Sequence, residues 1–324
     1  MGNTPSAPTL TEKNLPDQAG KVFMITGSTS GVGLSLAQIL YAHNARIYIA
    51  ARSAEKADYA IGHMKSLFPD SRGSLVYLHL DLNDLSTIKS SAEEFLKAEK
   101  QLDVLWNNAG LMIPAQGSKT KQGTELQLGT NCVAPWLFTR FLTPVLRETA
   151  RVRKGEGGEE GGVRVVWVSS SAAAKLSPQG GVEMDNLDYG RERSAWVKYG
   201  VSKAGNILHG WEYGRRAGGE GGVLSVSLDP GNLKTDLYKS LPRWQRIVVD
   251  RVLKEPIYGA YTELYAGLSI DITMENQGAF IVPWGKMQPP RADIVQSCKS
   301  ADESGTGIAR QFWEWTEGQC EGYM

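Results

Sequence analysis

Tyr199 and Lys203 lie four residues apart in a strongly helical segment, so a phenol and an ammonium project from one helix face, one turn apart. A free phenol, with a pKa near ~10, is a poor base at neutral pH, and a nearby cation that favours the phenolate corrects this. Lys203 can supply that cation. Exchanging a proton with a substrate oxygen also calls for a donor that holds the oxygen as charge develops on it. The hydroxyls of Ser169-Ser170-Ser171, at the end of the apolar run Val163-Arg164-Val165-Val166-Trp167-Val168, are candidates. Each part also has a plainer reading. An isolated Tyr-x-x-x-Lys is an ordinary pair at the edge of a helix face, and a serine-rich strand end commonly caps a turn.

A second feature changes the weight of the first. Thr26-Gly27-Ser28-Thr29-Ser30-Gly31-Val32-Gly33 follows the apolar run Val22-Phe23-Met24-Ile25 and precedes Val32, Leu36, Ile39 and Leu40 at helical spacing. A buried strand ending in such a turn opens a helix whose N–H groups face an anion, and its glycines let the backbone approach a pyrophosphate. The spacing is G-x-x-x-G-x-G, not G-x-G-x-x-G, and a turn of this kind alone is also a plain tight loop. Followed by Tyr199 and Lys203, it reads as a site for a dinucleotide phosphate.

These groups need elements to hold them. Strands are predicted at 22–26, 46–50, 75–79, 103–106, 163–168, 223–228 and 279–282. Helices are predicted near 32–43, 54–67, 84–99, 124–148, 196–216, 256–269 and 305–316. The alternation implies a doubly wound, parallel seven-stranded α/β sheet of the Rossmann type, covered on both faces. With Trp196 set at zero and about 100° per residue, Gly200, Ala204, Ile207 and Trp211 cluster within about 80°, Lys203 falls at about 340° and Tyr199 at about 300°. Both polar residues are thus predicted to flank a buried stripe, and a costly unpaired ammonium there predicts a ligand or structured partner for Lys203.

Residues 1–19 read as a flexible leader and 20–320 as a single domain. The glycine-glutamate stretches 155–162 and 218–222 precede strands and are expected on the face away from the chemistry. The chain carries 35 basic and 35 acidic residues with no basic cluster, which argues against nucleic acid as a partner. Cys132, Cys298 and Cys320 are widely spaced and suggest neither disulfides nor a metal site. No run is long enough to span a membrane, and a soluble, cytoplasmic protein is expected. Met1-Gly2-Asn3-Thr4-Pro5-Ser6 fits the acceptor pattern for N-myristoylation at Gly2, although a polar leader matches such a short pattern by chance.

The chain resembles the short-chain dehydrogenase/reductase family over nearly all of residues 20–320. Five motifs stand in order: the turn from Thr26 to Gly33, Asn107-Asn108-Ala109-Gly110, the serine-rich strand end, Tyr199-Gly200-Val201-Ser202-Lys203, and Pro230-Gly231 followed by Thr235. The resemblance implies that Tyr199 exchanges the proton, that Lys203 lowers the phenol's pKa and bonds the nicotinamide ribose, and that Ser170 holds the substrate oxygen, with Ser171 its rival. It implies that Asn131 anchors a water in the proton relay. It also implies cofactor contacts at Gly27, Ser28, Ser30, Gly31, Val32 and Gly33. Asp81 and Leu82 would border the adenine, Asn108, Ala109 and Gly110 would line the cleft, and Pro230, Gly231, Leu233 and Thr235 would fix the carboxamide. The family's glycine three residues after the helix asparagine is replaced by Ala134, then Pro135, which predicts a bend. The interval from Ser170 to Tyr199 is also longer than in many members.

The second strand ends in Ala51-Arg52-Ser53, where a carboxylate would favour NAD. Arg52, with Ser28 and Ser53 as further donors, predicts NADP. An apolar substrate lid is predicted over about 234–269, with Leu237, Tyr238, Leu241, Trp244, Ile247, Val248 and Val249. Ala51-Arg52-Ser53, Tyr261-Thr262 and Leu264-Tyr265-Ala266 are most similar to the branch of retinol-dehydrogenase-like and WW-domain-oxidoreductase-like members. The expected activity is an NADP(H)-dependent oxidoreductase interconverting a carbonyl and an alcohol on a lipophilic small molecule, with homo-oligomer formation left open. The alternatives are a non-catalytic NADP-binding sensor or scaffold and an isomerase or epimerase on the same fold.

Overall fold

The computed structural model describes residues 7–158, 160–217, 221–234 and 253–324. Gly2, Thr235 and residues 235–252 of the expected lid lie outside the described residues. One sheet is formed by Val22–Thr26 (β1), Arg46–Ala51 (β2), Ser74–His79 (β3), Val104–Asn107 (β4), Arg164–Val168 (β5), Leu224–Leu228 (β6), Phe280–Val282 (β7) and Lys286–Met287 (β8), in the order β3-β2-β1-β4-β5-β6-β7-β8. The first seven strands are parallel. The eighth returns antiparallel on β7, pairing Val282 with Lys286 through a turn at Gly285. Two residues are too short a strand to leave an alternating pattern, which is why seven strands were expected.

The helices are Gly31–Ala42 (α1), Ala54–Leu67 (α2), Leu85–Ala98 (α3), Leu126–Leu128 (α4), Ala134–Gly155 (α5), Ala172–Leu176 (α6), Ala195–Ala217 (α7), Pro256–Leu268 (α8), Ala292–Cys298 (α9) and Ile308–Cys320 (α10). Side chains of β1 alternate between two cores. Val22 and Met24 join α3, α5 and α7 on one face, and Phe23 and Ile25 join α1, α2 and α8 on the other. After β1 the chain steps outward through β2 and β3, then returns to place β4 on the other side of β1. That reversal opens a crevice beyond the carboxyl ends of β1 and β4.

Three expectations change. The helix expected at 124–148 divides into α4, a π turn Gly129–Val133 and α5, with the Ala134 N–H bonded to the Gly129 carbonyl five residues back. Pro135 has no N–H to offer Asn131, so the backbone widens there. In α7, every residue from Lys198 to Gly210 is buried, whereas Trp196 is 43% exposed. The predicted single stripe is therefore replaced by burial all round, because β5, β6, α6, α10 and the π turn enclose this helix. Residues ahead of 19 are also packed: Leu15 enters the second core, and the Gln18 N–H donates to the His43 carbonyl at 2.7 Å.

Arg164 ties one side together from within. Its buried guanidinium donates to the carbonyls of Gly161, Ala266, Ser269 and Ile272 at 2.7–3.1 Å, joining the start of β5 to the last turn of α8. The described parts of the two glycine-glutamate stretches precede β5 and β6, at the sheet edge opposite the crevice.

Candidate active site

The turn after β1 is joined directly to the segment after β4. The Asn108 side-chain amide donates to the Thr26 carbonyl at 2.6 Å, and the Ala109 N–H donates to the Thr26 hydroxyl at 2.9 Å. Gly27 has φ +69°, and a Cβ on it would lie 2.9 Å from Ala109 Cα, so the chain itself requires glycine there. Above this junction lies a cleft of about 720 Å³.

The cleft brings most of the predicted residues together. The glycine turn contributes Gly27, Ser30, Gly31, Val32 and Gly33, and the segment after β4 contributes Asn108, Ala109 and Gly110. The end of β5 contributes Ser170 and its rival Ser171, α7 contributes Tyr199 and Lys203, and the segment after β6 contributes Pro230, Gly231 and Leu233. Ser30 is the N-cap of α1 and makes no side-chain capping bond, and the first turn of α1 carries no acid. The open N–H groups of that turn therefore face the cleft.

Other predicted residues do not line it. Ser28 is fully buried and its hydroxyl donates to the Ile25 carbonyl at 2.8 Å, fastening the turn, so its proton is not directed at a phosphate. Asn131 sits in the π turn, where its amide donates to the Leu111 carbonyl and the Ser202 hydroxyl while its oxygen accepts from the Leu111 N–H. Both amide hydrogens are thus committed to protein, and the side chain braces the cleft wall against α7. Arg52 is exposed at the end of β2, beside Ser53, which caps α2 by accepting from the Lys56 N–H. Asp81 accepts from the Asn83 N–H, and Leu82 is buried in the first core.

Lys203 has the structured partner expected of it. Its ammonium donates to the Val168 carbonyl at 3.0 Å and lies 5.8 Å from the centre of the Tyr199 ring. Ser169 donates to the Lys203 carbonyl at 2.6 Å, which fixes the end of β5 to the backbone of α7 and occupies that hydroxyl. Burial pushes Lys203 down to about 8, against the opposing charges of Cys132, Glu263 and Asp229. Burial likewise raises Asp229, opposed by the N–H groups of Gly231 and Ser171.

Met112, Ala172, Leu176 and Trp196 form an apolar wall beside Tyr199 that sequence reasoning missed, since its members come from three separate segments. Glu263 was missed as well. Its signal was legible: it is the one charged residue in the helix Pro256–Leu268. Among the described residues, no group of His, Cys, Asp and Glu side chains could hold a metal ion, and no helix is long and apolar enough to cross a membrane.

The profile described as short chain dehydrogenase matches residues 21–182. A short-chain dehydrogenase/reductase of Phomopsis amygdali is 48% identical over 325 residues, covering 99% of this chain and 95% of that protein. The short-chain dehydrogenase/reductase pkfC of Emericella nidulans is 47% identical over 319 residues, covering 98% of each. Among solved structures, an NADPH-bound carbonyl reductase from chicken fatty liver shares the fold, with a TM-score of 0.64 and 21% identity over 88% of this chain and 99% of that one. With a doubly wound sheet, a glycine turn opening onto its crevice and the Tyr199–Lys203 pair beside it, this chain belongs to the short-chain dehydrogenase/reductase family of oxidoreductases.

Proposed function

We propose that the cleft binds NADP(H) and that the protein interconverts a carbonyl and an alcohol on a lipophilic small molecule. The observation that carries this reading is the presence of Tyr199 and Lys203 in the same cleft as the open N-terminus of α1. That helix end suits a pyrophosphate. The chicken carbonyl reductase, similar in fold, is described with NADPH bound. When bound, the nicotinamide supplies or takes up the hydride. Tyr199 gives a proton to the substrate oxygen in reduction and takes one from it in oxidation, and the Lys203 ammonium stabilises the negative charge left on the phenol oxygen.

Ser170 accepts a hydrogen bond from the Ala172 N–H at 3.2 Å, which leaves its hydroxyl proton to hold the substrate oxygen. Asn131 is a positioning residue, through Leu111 and Ser202. The wall of Met112, Ala172, Leu176 and Trp196 favours an apolar substrate body next to the reacting oxygen. Arg52, with no carboxylate at the end of β2, supports NADP over NAD.

The test pairs a panel of carbonyl compounds with NADPH and NADH. The expected result is carbonyl-dependent oxidation of NADPH in preference to NADH, with Arg52→Asp reversing that preference by weakening NADPH about tenfold or more. Cofactor binding with no oxidation by any carbonyl would instead indicate a sensor, and product formed without net cofactor oxidation would indicate an isomerase. Unchanged NADPH affinity in Arg52→Asp would remove the cofactor assignment.

A further inference from the structure

Glu263 is a buried carboxyl group to which the proton relay assigns no work. Its side chain is fully buried, and among the described residues neither of its oxygens has a hydrogen-bond partner. A buried carboxyl group without partners is costly, and a native chain retains one where something else is to meet it. Its backbone is held firmly: the Glu263 carbonyl accepts from the Trp106 indole N–H at 2.9 Å, against the end of β4. One turn earlier on the same face, Gly259 packs on Leu233 and Val32, which line the cleft. Glu263 lines the cleft with them.

Among the described residues the charged surroundings are sparse. Among the elements packed on α8, α1 carries only the Tyr41 phenol, and β4 and β6 carry no titratable residue. On β5, Arg164 is bonded to carbonyls at the far end of α8. From α7 comes Lys203, among the described residues the one charge that acts on Glu263, while Asp229 beyond β6 and Cys132 in the π turn act on Lys203 instead. Burial raises the Glu263 carboxyl to about 8, opposed by Lys203, so the group is neutral in acid and ionises at mildly alkaline pH.

Resting on the NADP(H) reading above, we propose that Glu263 is the counter-charge by which this cleft distinguishes oxidised from reduced nicotinamide. The oxidised ring carries a positive charge that the reduced ring lacks. In a water-poor cleft, a carboxylate favours the cationic form, whereas the protonated acid favours neither. By linkage, the oxidised cofactor must in turn make the carboxyl easier to ionise, so its relative affinity rises with pH.

Direct titration of binding by protein fluorescence, with NADP+ and NADPH against the wild type and Glu263→Gln at pH 6 and pH 8.5, tests this. Gln has the size of the neutral acid, so at pH 6 the two proteins should bind both cofactor forms alike. At pH 8.5 the variant should lose about tenfold in NADP+ affinity, equivalent to one pKa unit of linkage, with NADPH held within about threefold. Loss of the carboxylate also lets Lys203 shed its proton sooner, which would strengthen NADP+ binding. A weakening therefore identifies the carboxylate itself. Because no hydrogen bond is removed, Glu263→Gln should also be the more heat-stable protein at pH 8.5, which excludes misfolding as the cause. Equal NADP+ affinities in wild type and variant at pH 8.5 would overturn the inference while leaving the NADP(H) assignment standing. Failure of the wild type to bind either cofactor would overturn that assignment instead.

Discussion

At the scale of residues, the resemblance favoured Ser170 among three consecutive serines with Ser171 as its rival, and hydrogen bonding removes only Ser169 from the choice. Ser169 is bonded into the fold through Lys203, Ser170 accepts from Ala172 and keeps its proton, and the Ser171 hydroxyl accepts from the exposed Lys175 ammonium at 3.4 Å. With the role proposed for Ser170, Ser170→Ala should lower kcat on any accepted carbonyl by about 100-fold, as for loss of one oxyanion donor, while Ser171→Ala stays within a few-fold. Steady-state rates of the two variants decide the assignment, and the reverse order would transfer the role to Ser171. Residue types and spacing were enough to single out Tyr199, Lys203 and the glycine turn. They could not show that Ser28 faces inward or that both amide hydrogens of Asn131 are taken by Leu111 and Ser202, because such commitments depend on which distant backbone groups arrive beside them.

At the scale of elements, α7 holds the reacting pair only because it can sit directly on the backbone of α6. A Cβ on Gly200 would lie 2.6 Å from the Leu176 carbonyl carbon and the Ser177 nitrogen. Helix propensity alone would have Gly200→Ala stabilise the protein by about 1 kcal/mol. The contact reverses that sign, since the obstructing atoms are backbone and cannot rotate away, and overpacking of this kind costs about 1–3 kcal/mol. Gly200→Ala should lower both the urea midpoint and kcat, because Tyr199 moves with the helix; a variant more stable than wild type would contradict this packing. The helical pattern of α7 was legible from spacing, but its enclosure was not. The period of apolar residues reports one buried face, and partners arriving from β5, β6, α6 and α10 bury the others. The π turn was foreshadowed by Pro135, whose missing N–H is a local property of the chain.

At the scale of the whole molecule, strand and helix alternation with right-handed crossovers was enough to predict a doubly wound parallel sheet, whereas the strand order that opens the crevice at the switch between β1 and β4 depends on which strands pair in the folded chain. The short elements β8, α6 and α9 escaped because pieces of two to seven residues carry too little periodicity. The same folded whole sets a dependence on acid. His209 is fully buried in α7, stacked on Phe312 at 4.7 Å and bonded to the Thr316 hydroxyl at 3.1 Å, so it joins α7 to α10. Burial pushes its pKa down from 6.5 to about 3. Between those values the unfolded chain takes up a proton that the folded protein refuses, so stability falls as pH drops from 6.5 toward 3. From this group alone the loss by pH 5 is roughly 2 kcal/mol. Urea unfolding at pH 7 and pH 5 should show that extra loss in wild type and not in His209→Gln, and equal losses in both would contradict it.

The most direct measurement of the account is made on Tyr199→Phe, which removes one oxygen and leaves the ring. NADPH affinity by fluorescence titration and NADPH oxidation with an accepted carbonyl should be followed on the same preparation. The account predicts affinity within a few-fold of wild type together with turnover lowered at least about 100-fold. Turnover near the wild-type rate would contradict the role given to the Tyr199 phenol.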